Sequence, residues 1–227
     1  MSRKIRNIRN ILSLMAAPVV AIGLMMGAGQ ASAQEAHAHI GHIMTSWQLG
    51  PNQLGLLPVA NAEAFMGLSE AGLMVANLSN LEKAQGHARN LINAIDQAFQ
   101  SEGPGLGTGV RGAAEAIIIH VNLAAQSPDA TDNVRLHAHH VATSAQNVID
   151  RSEMLVAQAL GVLAANSSQQ AAPFARVAAT LANQIIVGVD VNGDGQVFWV
   201  AGEGGLNQLS VHMDLMVAGE DAMMADD

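Results

Sequence analysis

Val134-Arg-Leu-His-Ala-His-His-Val141 opens a segment in which Val134, Val141, Val148, Leu155 and Val162 recur every seven residues. Ala138, Ala145, Ser152 and Ala159 each fall four residues after a member of that series. Positions i, i+4 and i+7 share one helix face, so large and small side chains alternate along a single stripe. Such a stripe is a bundle seam: small residues admit a neighbouring helix and large ones fill the space beside it. Asp132 or Asn133 stands where a cap is needed and Asn166-Ser-Ser interrupts the pattern, which predicts one long helix over 132–165. The fold class that follows is all-α.

The same period extends to both sides. Downstream, Phe174, Val177, Leu181 and Ile185 predict a helix over 169–187, with Pro173 near its first turn. Leu206, Leu209, Met213 and Met216 predict another over 204–218. Upstream, Ala113, Ala114, Ile117, Val121 and Ala124 mark 110–126, and Ala84, Ala88, Leu91, Ile95 and Ala98 mark 80–100. Phe65, Met66, Ser69, Leu73 and Ala76 mark 61–78. Gly103-Pro-Gly-Leu-Gly-Thr-Gly109 reads as a tight inter-helix loop, because no strand precedes it and no lysine follows in Walker position. Tyrosine is absent and aromatics are 3% of the chain, which disfavours a β-sandwich. The expectation is a bundle of about four main helices with extra short ones, occupying 61–219.

The flanks differ. Residues 34–60 hold Pro51, Gly55 and Pro58 and predict an extended strap, gripped by Ile43, Met44, Trp47, Leu54, Leu56 and Leu57. Residues 220–227 read as a frayed acidic tail. Residues 1–33 combine Arg3, Lys4, Arg6 and Arg9, an apolar run and Ala31-Ser32-Ala33, the pattern of a secretory signal peptide. Export is therefore expected, to the periplasm in a Gram-negative host. Removing that segment leaves six of the ten Lys and Arg against nineteen acids, so the formal charge moves from −9 to −13. Nucleic acid is a poor partner for such a surface, stable membrane insertion is not expected after cleavage, and metal cations are natural partners. With no cysteine there are no disulfides and no thiolate ligands.

Asp190-Val-Asn-Gly-Asp-Gly-Gln-Val197 places side-chain oxygens at Asp190, Asn192 and Asp194 and a glycine where a sharp turn is needed. Alternate oxygens let a short loop wrap a hard cation that takes six to eight of them. The stretch resembles the loops of EF-hand and dockerin-type proteins over about a dozen residues. That resemblance implies Ca²⁺ held by Asp190, Asn192, Asp194 and the Gln196 carbonyl. It departs from the pattern at Phe198 and at Ala201, where the family has its bidentate Glu; Glu203 comes two residues late. The alternative is a degenerate loop that keeps the turn without the ion.

Histidine forms the second candidate set. His87, His120, His137, His140 and His212 fall on or beside the apolar faces of the predicted helices, whereas His139 points outward. Bundles build metal and haem sites from such inward side chains, and His137 and His140, at i and i+3, can reach one ion. Met154, Met213 and Met216 add soft donors for copper or a haem iron. His37, His39 and His42 form a separate N-terminal tract suited to Cu²⁺, Zn²⁺ or Ni²⁺. Structural histidines remain the alternative for both sets. C-x-x-C-H and Glu-x-x-His are absent, as is G-x-S-x-G, and Glu63, Glu70 and Glu115 show no pattern that pairs them. The sequence thus predicts an exported, non-enzymatic protein with a mainly structural Ca²⁺ loop. A haem- or copper-binding bundle for electron transfer or metal handling is the first alternative, and an adaptor bundle the second.

Overall fold

A computed structural model describes residues 34–225. The predicted leader lies outside the described residues. Seven α-helices and a single 3-10 turn make up the described chain, and no strand occurs among these residues. The helices are α1 (Glu35–Met44), α2 (Leu56–Ala76), α3 (Leu81–Ile95), α4 (Gly109–Gln126), α5 (Asp132–Ala164), α6 (Ser168–Val187) and α7 (Leu206–Ala225). Four of them close a ring: α2 packs on α3, α3 on α5, α5 on α6 and α6 on α2. Outside the ring, α4 lies against α1, α2 and α5, and α7 lies against α5.

The 33-residue α5 carries the architecture. All five large seam residues, Val134 to Val162, are fully buried, and Ala138, Ala145, Ser152 and Ala159 lie buried beside them. Each large one contributes roughly 1.5–3 kcal/mol on burial. The cap is Thr131, one residue before the predicted pair, its Oγ1 accepting the Val134 N–H at 3.0 Å. Asn133 serves packing instead, donating to the Met216 carbonyl (2.8 Å) and to Glu220 (2.9 Å) on α7.

Several expectations are corrected. The strap is largely helical: Ala36, Ile40 and Ile43 form the buried face of α1. Its prolines all follow Met44 and α1 runs through Gly41, so 45–55 lies outside the α-helices, and Pro58 sits in the first turn of α2 where its missing N–H is not needed. The face of α2 is also different from the predicted one. Phe65 is 59% exposed and Leu73 is exposed too, while Leu56, Val59, Ala60, Ala64, Gly67, Ala71 and Met74 face the core. On α6 likewise Phe174 and Val177 lie outside and Ala171, Ala175, Ala178 and Ala182 face inward. In both helices the small-residue face admits the neighbour more closely, and close packing outweighs the size of single side chains. Phe174 does cover Gly161 of α5, where an added Cβ would meet the ring at 2.5 Å. Helix α3 ends at Ile95, short of the predicted 100. The acidic tail is the end of α7 as far as Ala225, and Glu220, 4% exposed, accepts from Thr131 Oγ1 at 2.6 Å.

Candidate metal centres

Six histidines meet in two triads, His39–His42–His120 and His137–His140–His212, in each of which one ring nitrogen per residue lies within 4.8 Å of the others. Each triad draws two ligands at i and i+3 from one helix and the third from another. In the first, the buried face of α1 seats it on α4, and His39 and His42 flank that seam. His39 Nδ1 lies 3.0 Å from His120 Nδ1. His42 Nδ1 is buried without a hydrogen-bond partner. Trp47 meets the His120 ring edge-on, with centroids 6.2 Å apart.

In the second triad, His212 Nδ1 lies 3.2 Å from His137 Nδ1 and 3.4 Å from His140 Nδ1. Trp199 stacks on His140 with centroids 3.9 Å apart and planes 22° from parallel. A ring nitrogen carries either a proton or a lone pair, so three converging nitrogens match one cation better than one another. Nitrogens at 2.0–2.1 Å from a tetrahedral ion stand about 3.3 Å apart, close to the spacings here. Burial pushes His39, His120, His137 and His140 below the usual imidazole range, with neighbouring histidines adding to it at all but His137. His212, 9% exposed, falls furthest, to about 4, through burial and then His140 and His137. At neutral pH these rings are in the uncharged, ligating form.

The remaining predicted site residues lie elsewhere. His87 Nδ1 sits 2.8 Å from Glu70 Oε2 and joins neither triad. His37 Nε2 is 3.8 Å from Glu220, so the N-terminal tract supplies two ligands and not three. His139 is exposed, as expected. Of the five histidines predicted on helices, three form the second triad, His120 belongs to the first and His87 to neither, and the missing partners of His120 come from the segment predicted as a strap.

The calcium-type loop runs between α6 and α7, as predicted. Its oxygens are turned onto its own backbone: Asp190 accepts from the N–H groups of Gly193 (2.7 Å) and Gly195 (2.8 Å). Asn192 accepts from Asp194 N–H at 2.8 Å and Asp194 from Gln196 N–H at 2.9 Å. Late Glu203 is buried and accepts from Phe198 N–H at 3.0 Å. Among the described residues, neither of the two potential metal-ligand groups includes a loop residue.

Two buried charged residues have a role beyond the sequence expectations, in which Glu63 stands only among acids without a pairing pattern and Arg151 does not figure. Glu63, fully buried on α2, accepts the N–H groups of Leu106 and Gly109 at 2.9 Å and of Thr108 at 3.3 Å, fixing the glycine-rich loop ahead of α4. Arg151, 4% exposed on α5, donates to the carbonyls of Gly202 (2.5 Å), Glu203 (2.7 Å) and Gly204 (2.7 Å), fixing the loop ahead of α7. Burial pushes this guanidinium down from its ordinary range. Each thereby sets the start of a helix that carries the third histidine of a triad. Their sequence signal is a charge on an otherwise apolar seam, Arg151 directly before the seam residue Ser152.

The fold and its two histidine centres define an all-helical bundle with clustered imidazoles. No family model matches the chain, and no curated protein or solved structure matches it either.

Proposed function

We infer that this protein binds borderline transition-metal ions through tri-histidine sites and handles them without catalysing a reaction on them. The observation that carries this reading is the convergence of three imidazoles in each triad, one ring nitrogen per residue within 4.8 Å of the others and the nearest pairs at 3.0–3.4 Å. Imidazole suits Zn²⁺, Cu²⁺ and Ni²⁺, and three ligands leave the fourth position of a tetrahedral ion to water or an incoming donor. The same spacing favours a bare ion over haem, because nitrogens this close leave no room for a macrocycle between them. Protein purified without chelator and analysed for metals should carry zinc or copper in stoichiometric amount. Metal-free protein that fails to retain either ion at micromolar concentration sinks the reading.

A second reading concerns the loop between α6 and α7. The Asp190 carboxylate gathers two loop N–H groups, and Asn192 and Asp194 each cap the residue two ahead, a turn that supports a cation loop as the second reading. Here Ca²⁺ stabilises the junction. Millimolar Ca²⁺ should raise the melting temperature, and Asp190→Ala or Asp194→Ala should abolish the rise. Glu203→Gln tests the late acid: unchanged affinity removes Glu203 from the ligand set. A melting temperature indifferent to Ca²⁺ leaves the loop a hydrogen-bonded turn.

A further inference from the structure

The two triads belong to two halves of the chain that repeat one another. His39 and His42 lie 98 positions ahead of His137 and His140, and at the same offset the buried face Ala36, Ile40, Ile43 of α1 becomes Val134, Ala138, Val141 of α5. At an offset of 88 the buried positions of α2 also land on α5. Leu56, Leu57, Val59, Ala60, Glu63, Ala64, Gly67, Ala71 and Met74 correspond to Ser144, Ala145, Asn147, Val148, Arg151, Ser152, Leu155, Ala159 and Val162, and all are buried. The two offsets differ by ten residues, which matches the length of the excursion at 45–54. That excursion returns to where it left, Gly55 N–H donating to the Thr45 carbonyl at 3.1 Å. One continuous helix in the second half thus stands for two in the first.

The correspondence continues to the third ligand. Ala84, Ala88, Leu91 and Ile92 of α3 match Ala178, Ala182, Ile185 and Ile186 of α6, all buried. Ala114, Ile117, Val121 and Ala124 of α4 match Leu206, Leu209, Met213 and Met216 of α7, again all buried, and in that register His120 falls on His212. The buried ties Glu63 and Arg151 occupy the same place and hold the loops before these matched helices. The ring of four repeats too, since α2 with α3 answers α5 with α6, and the contacts between halves, α3 with α5 and α6 with α2, answer each other.

We propose that the chain is two copies of one metal-binding unit, 35–126 and 132–225, and that its triads are matched sites taking the same kind of ion, one per unit. This rests on the tri-histidine reading given above. Equal helix registers place equal ligand sets on equal scaffolds, so the sites share ligand type, number and spacing, which are what select a metal. The indoles alone reach them from different places: Trp47 from the excursion of the first unit, Trp199 from the loop before α7 of the second.

The test is a Zn²⁺ titration of the full metal-free chain by calorimetry, repeated with Cu²⁺ while following tryptophan fluorescence. The expected result is two ions per chain with dissociation constants within about tenfold of each other. His120→Asn and His212→Asn should each remove one ion and leave the other within about threefold, circular dichroism confirming the fold. Should either variant fail to fold, Trp47→Phe and Trp199→Phe leave one indole each and report the sites separately in an intact triad background. Cu²⁺ should then quench both single-tryptophan proteins at similar concentrations, more deeply for the stacked Trp199. One ion in the unaltered chain, loss of both ions in either histidine variant, or Zn²⁺ and Cu²⁺ choosing different triads overturns the matched pair while leaving metal binding intact. No ion in any protein overturns the underlying reading.

Discussion

Glu63 and Arg151 occupy one position of the repeated unit and do one task with opposite charges. Glu63 collects N–H groups at the start of α4, where the helix dipole also favours a carboxylate. Arg151 reaches three carbonyls of a longer loop that turns its oxygens inward. The difference teaches that the fold specifies a buried tie at this height, and that the sign of the charge follows which backbone groups the next loop presents. Both residues are expensive to bury, and both are tolerated because several backbone groups solvate each of them.

Arg151→Met provides the harshest challenge to this pairing. It takes the guanidinium from three carbonyls, of which that of Glu203 keeps the Val189 N–H at 3.0 Å; at roughly 1–3 kcal/mol for each of the other two that water cannot reach, a loss of about 4 kcal/mol is expected in urea denaturation. Next comes acid. His212 in the metal-free fold titrates at about 4 and in the unfolded chain at 6.5. As pH falls below 6.5 the unfolded chain takes up the proton first, so stability is complete above 6.5 and is lost progressively towards 4. The loss is on the order of 3 kcal/mol, and His212→Asn should flatten the curve more than His120→Asn does. Glu63→Gln keeps an acceptor and gives up the charge, so about 1–2 kcal/mol is expected. If it costs as much as Arg151→Met, the two ties are not distinguished by what they hold. Smallest are the caps of matched helices: Asn80→Ala on α3 and Ser167→Ala on α6 should each cost about 1 kcal/mol. In the register that matches Ala84 to Ala178, α6 begins seven residues ahead of α3, so the two caps report separate helix starts.

Legibility in the sequence followed packing chemistry. The faces of α4, α5 and α7 were readable because their apolar residues at helical spacing form an unbroken series, although Ile119, Leu123, Leu136, Val211 and Leu215 lie exposed on the other side. On α2 and α6, apolar residues lie on both sides, and size pointed to Phe65, Leu73, Phe174 and Val177, whereas closeness of approach selected alanine and glycine. Four of the six triad histidines were placed on the right helix and the other two in the N-terminal tract, but which tract met which helix was not readable. That pairing depends on α1 docking against α4, a contact far apart in sequence, and the density of breakers after Met44 concealed α1 itself. For the tie residues local pattern offers a charge on an apolar seam but not its role, because the partners are backbone groups of a remote loop.

The excursion at 45–54 interrupts a helix without displacing it. Its two ends touch, Gly55 sits against the backbone of Met44 and Thr45 where no side chain would fit, and the faces on either side keep the phase of the unbroken α5. Such a junction is a natural splice point. Foreign sequence can be grafted between Ser46 and Leu54 with little strain passed to the helices, because the closure entropy grows only slowly with loop length. The His39–His42–His120 triad beside it would then serve as a built-in gauge of whether the graft has been accepted.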